Sequence, residues 1–290
     1  MPNNTLRGAL WMLGAVASFA CMQIAGRELS GEHDPFAILL FRSLIGLALI
    51  TPIAIAFGGA KNVTTRRPIG HCVRNSIHFI GQFGWFYGIA FLPMADVTAL
   101  TSSTPLFGVA LAVIFMGEFL SLRRFTIILV GFLGVLIVIR PGVVPLELAT
   151  GVTVLGAFCY AVSIIMVKAL TRTEPPLRIV FFMMLIQLIF ALACTNLQIA
   201  LPAEEEWPFV ILVAIGGLTA HYSMARSVQL ADASVVMPVN FLQLPLMALA
   251  GFAFYGEHID PYTLGGGALI LAATYLNITS AKKRQLKAVD

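Results

Sequence analysis

Charge is scarce in this chain of 290 residues: 18 Lys and Arg and 14 Asp and Glu make up 11% of it, against about 25% in an ordinary soluble domain. With 59% of the residues hydrophobic, the shortage excludes a water-soluble globule, since one core cannot bury that much apolar surface. It excludes a disordered chain or an appended extramembrane enzyme as well. Cysteine is scarce too. Cys21, Cys72, Cys159 and Cys194 form no CxxC pair and have no His at ligand spacing, so they read as small hydrophobes, and no metal site or cofactor is expected. Missing altogether is a carboxylate at the centre of an apolar run: Asp96, Asp232, Glu118 and Glu257 all stand at run ends. That absence argues against carboxylate proton relays, and it leaves an intramembrane enzyme without its acid–base pair, so no catalytic residue is assigned.

What is present is hydrocarbon-soluble sequence, with a mean hydropathy of +0.90. Apolar runs of about span length cover 8–25, 35–57, 70–92, 95–116, 125–139, 148–167, 179–197, 208–228, 231–255 and 264–278. They do not alternate polar with apolar residues, so they read as helices rather than barrel strands. The first is read as a retained span, not a secretory signal. Placing the N-terminus inside puts fifteen Lys and Arg on the cytoplasmic side and two, Arg27 and Arg140, outside, with Arg42 inside the second span. Both termini are therefore expected in the cytoplasm.

The chain also repeats itself. The fourth run opens on Ala95-Asp96, carries Pro105 and closes on Gly117-Glu118; the ninth opens on Ala231-Asp232, carries Pro245 and closes on Gly256-Glu257. Upstream, Tyr87-Gly-Ile-Ala90 is matched by Tyr222-Ser-Met-Ala225. Each half then holds five helices, residues 1–143 and 144–290, and an odd number turns the second copy upside down. Inverted repeats place a cavity near the midplane and let one half rock against the other, which is transporter architecture. The prolines are expected to kink their helices, and Gly131-x-x-Gly134 and Gly265-Gly266-Gly267 to let helices approach closely.

Two five-helix halves, an Arg in the second span, the Ala…Pro…Gly-Glu pattern and Gly-rich fifth and tenth spans resemble the drug/metabolite transporter superfamily of the EamA type. Within it the chain is similar to the YddG-like amino-acid exporters in length and in its aromatic third span. The resemblance implies an all-α integral membrane protein of ten transmembrane helices in two inverted repeats. It also implies a cavity drawn from the first, third, fourth, sixth, eighth and ninth spans.

Polar residues inside the spans supply the candidate substrate contacts. Arg74, Asn75, His78, Gln82 and Trp85 share one face of the third span; such a stripe either bonds neighbouring helices or lines a wet cavity. His78, Gln82 and Trp85 are the candidates there, while Arg74 is expected to snorkel to the cytoplasmic surface. Tyr160, His221, Tyr222, Asn240 and Gln243 add groups at similar depth, and Arg42 is either a snorkelling or an anion-binding charge. Thr98, Thr101 and Ser102 are expected to bond back to their own helix.

Together these point to a bacterial inner-membrane transporter moving a small molecule by alternating access, an amino acid first, aromatic ones favoured, by export or facilitated flux. The alternative within transport is uptake or exchange of another metabolite, a vitamin or nucleotide derivative; an enzyme using His78 and His221 is the third reading. Expected partners are the small-molecule substrate and membrane lipids, without nucleic acid, in a monomer or weak homodimer.

Overall fold

The computed structural model describes residues 2–104, 106–108, 110–111, 122–140, 147–170, 173–195, 201–230 and 237–287. Among them are ten helices of eight residues or more: α1 (Pro2–Leu29), α2 (Pro35–Gly58), α3 (Pro68–Phe91), α4 (Met94–Thr101), α5 (Leu122–Ile139), α6 (Leu148–Leu170), α7 (Pro176–Cys194), α8 (Trp207–Leu230), α9 (Gln243–Tyr255) and α10 (Pro261–Lys287). Each falls on one of the ten apolar runs. Local chemistry sets the ends. Asp34 accepts hydrogen bonds from the amides of Phe36 and Ala37 ahead of Pro35, and Gly256 closes α9 at φ 63°.

Among the described residues, five helical stretches are long and apolar enough to span a membrane: Leu6–Leu29, Pro35–Asn62, Leu148–Val167, Pro176–Cys194 and Glu204–Met224. The helix α3 is 24 residues long and is not among them, because its polar stripe interrupts the apolar run. The ninth span is not one continuous helix in its described part. A 3-10 turn at Met237–Leu242 precedes α9, so Pro245 sits in the first turn of a helix, where its missing N–H takes nothing from the ladder and makes no kink. Pro105, Gly117, Glu118 and Asp232 lie outside the described residues.

The halves are interleaved. The principal packing partners are α1 with α8, α3 with α6, α5 with α10, α2 with α7, and α4 with α9. Counting α6 as the second copy of α1, α7 of α2 and so on, exchanging the copies converts α1–α8 into α6–α3 and leaves the other three pairs unchanged. An inverted repeat related by a two-fold axis has that property. Both exchanged seams are built on small residues: a Cβ on Gly84 would stand 2.5 Å from the carbonyl oxygen of Val152 and 3.1 Å from Cα of Gly156, and one on Gly216 would stand 3.0 Å from the carbonyl oxygen of Ser18. Lipid gives helices no hydrophobic reason to associate, so this close approach supplies the dispersion contacts that hold them. Gly134 and Gly266 face each other in the same way between α5 and α10.

Ionic ties between the copies gather at one end, the outer one by the charge count. Glu257 accepts from the amide of Met94 at 2.9 Å and meets Arg27 at 3.4 Å, so the Glu of the second Gly-Glu pair caps the start of α4 in the other copy. Arg27 also donates to the carbonyls of Ile89 and Leu92. Arg140 pairs with Asp260 at 2.7 Å, and Thr263 donates to Asp96 at 2.5 Å.

At the opposite end, Glu174 in the α6–α7 connection pairs with Arg178 at 2.5 Å and accepts from Thr65 at 2.8 Å. Burial alone would raise its carboxyl, but the bonds from Arg178 and Thr65 outweigh that and hold it below the usual carboxylate range. A depressed folded value means the stabilisation is present above the unfolded pKa of about 4.3 and is lost as pH falls through the folded value. Thermal melts should therefore show Glu174→Gln less stable than the wild type at pH 7, with the two curves converging in acid as pH falls through the lowered folded value. A gap that persists in acid would mean the loss is one of packing, not charge.

Candidate functional site

At the centre of the bundle Arg42 is 0% exposed. It does not snorkel. Its Nη1 donates to Oε1 of Gln187 at 3.1 Å. The amide oxygen of Gln82, oriented by the donors around it, accepts from Nη1 and Nη2 at 3.1 Å, which leaves the Gln82 amide nitrogen 2.7 Å from Oε1 of Gln187. Because a guanidinium only donates, Oε1 of Gln187 is the acceptor and its Nε2 is a donor. That nitrogen lies 2.8 Å from Nδ1 of His78, so Nδ1 must accept and the His78 proton sits on Nε2. A cation on α2 thus sets the tautomer of a histidine on α3 through an amide on α7.

From His78 a file of rings crosses the bundle. Tyr160 lies 5.3 Å away at 64°, His221 lies 5.7 Å away at 58°, and His221 meets Phe19 at 5.6 Å and 82°. The file repeats the two-fold: a His on α3 against an aromatic on α6, and a His on α8 against an aromatic on α1. Tyr160 and His221 are half-buried, whereas Arg42, His78, Gln82 and Gln187 are closed off, so the accessible edge of the site is at the first two.

Among the described residues Arg42 has no carboxylate partner, and neither does Arg74, which is 5% exposed and donates to Oδ1 of Asn75 at 2.7 Å. The sequence-based expectation that Arg74 snorkels is thereby corrected, since Asn75, anchored in turn on the carbonyl of His71, gives the guanidinium an internal acceptor. A charge buried in hydrocarbon without a counter-ion is costly, and here there are two.

Of the candidates read from the sequence, Arg42, His78, Gln82, Tyr160 and His221 converge. Trp85 is buried further along α3, edge-on to Phe86. Tyr222 is 40% exposed and turns outward against Trp11; a residue adjacent to His221 is rotated by about 100° and cannot share its face. Asn240, in the 3-10 turn, has a buried Oδ1 without a partner among the described residues, and Gln243 begins α9; that turn packs on α1, the helix that carries Phe19. Thr98, Thr101 and Ser102 bond to carbonyls of their own helix, as expected, and Thr98 also reaches Gln23 at 3.2 Å. Sequence reasoning missed Gln187 and Phe19. A lone amide in the apolar run of α7 was a usable signal for the first; nothing marked the second.

A family model described as the EamA-like transporter family matches residues 6–140 and 149–279. The chain is 25% identical over 278 residues to an S-adenosylmethionine uptake transporter of Rickettsia felis, covering 96% of this chain and 94% of that protein. It is 28% identical over 286 residues to a riboflavin transporter of Vibrio cholerae, again with 96% and 94% coverage. A pseudopaline exporter of Pseudomonas aeruginosa is 24% identical over 274 residues, with 92% and 94% coverage. A crystal structure with 18% sequence identity superposes with a TM-score of 0.67 over 96% of this chain and 98% of that one, so the fold is shared.

Proposed function

From the chain's membership of the EamA-like transporter family, matched in both halves, which makes it a small-molecule transporter and not an enzyme, we propose that it is an inner-membrane permease, termini cytoplasmic, taking up a metabolite that joins a planar heterocycle to an anionic group. The observation that carries this is the fully buried guanidinium of Arg42, held by two amides with no carboxylate among the described residues, beside a file of four rings. Stacking rings suit a flat heterocycle, and a substrate carboxylate or phosphate supplies the missing counter-ion by exchanging with Gln82 or Gln187. Relatives named for S-adenosylmethionine uptake and for riboflavin transport favour the vitamin or nucleotide-derivative reading over aromatic amino-acid export.

Alternating access through this site requires Tyr160 and His221 to admit the ring first. The bond from Gln187 keeps Nδ1 of His78 occupied, which supports facilitated flux over proton coupling. Counterflow in proteoliposomes tests the proposal. Labelled riboflavin, flavin mononucleotide, S-adenosylmethionine and phenylalanine are offered against each unlabelled compound inside. Exchange of an anionic heterocycle above its neutral parent is expected; exchange of phenylalanine alone would overturn the reading.

A further inference from the structure

A second recognition site lies on the cytoplasmic rim as the charge count orients the chain, at the ends of the two helices that carry His78 and Tyr160 and built from different groups. Between the α2–α3 connection and the end of α6 is a cleft of about 380 Å³, lined by Arg66, Arg67, Ile69, Gly70, Met166 and Leu170 among others. Its charge is of one sign. Arg66 and Arg67 are exposed, and among the described residues neither has an acidic partner. The acid tied to this loop is Glu174, already engaged by Arg178 and by Thr65. Thr65 in turn accepts from the amide of Arg67 at 2.9 Å, so the two arginines project from an anchored backbone.

The other wall is apolar and leads into the bilayer. Ile69 is 77% exposed, Val73 45% and Ile80 50%. Steps of four and seven put these on one face of α3, a stripe running from the cleft toward mid-membrane on the outward side of the helix. Gly70, packed under Leu170, keeps α3 and α6 together at the cleft floor, where a Cβ would stand 3.3 Å from Leu170 Cδ2. A soluble phosphate would use the arginines and leave this stripe unused. A phospholipid uses both.

We propose that this cleft binds an anionic phospholipid, its headgroup phosphate between Arg66 and Arg67 and an acyl chain along Ile69, Val73 and Ile80. Basic residues at a cytoplasmic membrane surface contribute about 1 kcal/mol each toward anionic lipid, so losing both should weaken binding about thirtyfold. Native mass spectrometry of the full-length protein, titrated with phosphatidylglycerol or with phosphatidylcholine of the same chains, reads this directly. The wild type should retain phosphatidylglycerol preferentially; Arg66→Gln with Arg67→Gln should lose the preference, and Lys61→Gln, in the same connection but not lining the cleft, should keep it. A thermal melt with glycerol 3-phosphate alone forms the second arm, and it should not move. Equal retention of the two lipids, an unchanged preference in the double variant, or stabilisation by glycerol 3-phosphate equal to that by the lipid would each overturn the proposal.

Discussion

Substrate exchange in proteoliposomes should fall by about a hundredfold or more in Arg42→Gln, while the purified protein melts no lower than the wild type. The first half follows from the worth of a buried charged hydrogen bond, about 2–5 kcal/mol when one partner is deleted and the other stays buried. The second follows from what Arg42 touches. Without the guanidinium, Gln82 still bonds Gln187 and Gln187 still bonds His78, and a desolvated charge without a counter-ion has been removed from the apolar interior. Arg42→Lys should be impaired as well, because an ammonium cannot present the planar fork that two amides now hold. A variant that transports normally but melts several degrees lower would identify Arg42 as a brace between α2 and α7, with substrate bound elsewhere.

The second large effect is structural. Gly84→Val should yield no monodisperse protein in size-exclusion chromatography, because the obstacle to its Cβ is backbone: the Val152 carbonyl oxygen at 2.5 Å and Cα of Gly156 at 3.1 Å. Overpacking typically costs about 1–3 kcal/mol where side chains can yield, and a helix seam cannot yield locally, so α3 and α6 must part along its length. Gly217→Ala poses a different obstacle, since its Cβ would meet Arg42 Nε at 2.8 Å and a side chain can move. That variant should fold and transport poorly. Gly151→Ala, with nothing within 4 Å, serves as the control. Normal elution of Gly84→Val would show that the α3–α6 seam is looser than its geometry.

Much of this was readable before any coordinates. Ten helices follow from run length, because hydrocarbon leaves the backbone no other partner. His78 and Gln82 were legible because 74, 75, 78 and 82 fall on one helical face, and Arg42 because a cation in an apolar run demands an account. The rest was hidden for identifiable reasons. Tyr222 seemed equivalent to Tyr87 by a four-residue match, but helical rotation turns it away from the neighbour that does face inward. Phe19 is one aromatic among many in an apolar helix, and only the partner across the bundle distinguishes it. The prolines gave no sign of whether they would fall within a helix or at its start. Above all, small residues announce that a helix will be approached closely without saying by which other helix.

That last point bears on how the protein is made. The seam partner of α1 is α8, separated from it by six intervening helices, and α3 waits for α6. When the first five helices have left the ribosome, the faces carrying Gly14, Ser18, Gly81 and Gly84 lack the second-half helices they close on, α8 and α6. The first half is therefore not a folding unit, for all that it is a sequence unit. Synthesised as separate polypeptides, each half should be degraded alone and rescued by the other. If transport moves rigid bodies against each other, the α1–α8 and α3–α6 seams, closed by backbone contact, should each travel as a unit, and the two sequence halves should not be the bodies. Each such body would mix helices from both halves, so that one two-fold axis would relate both the repeats and the parts that move.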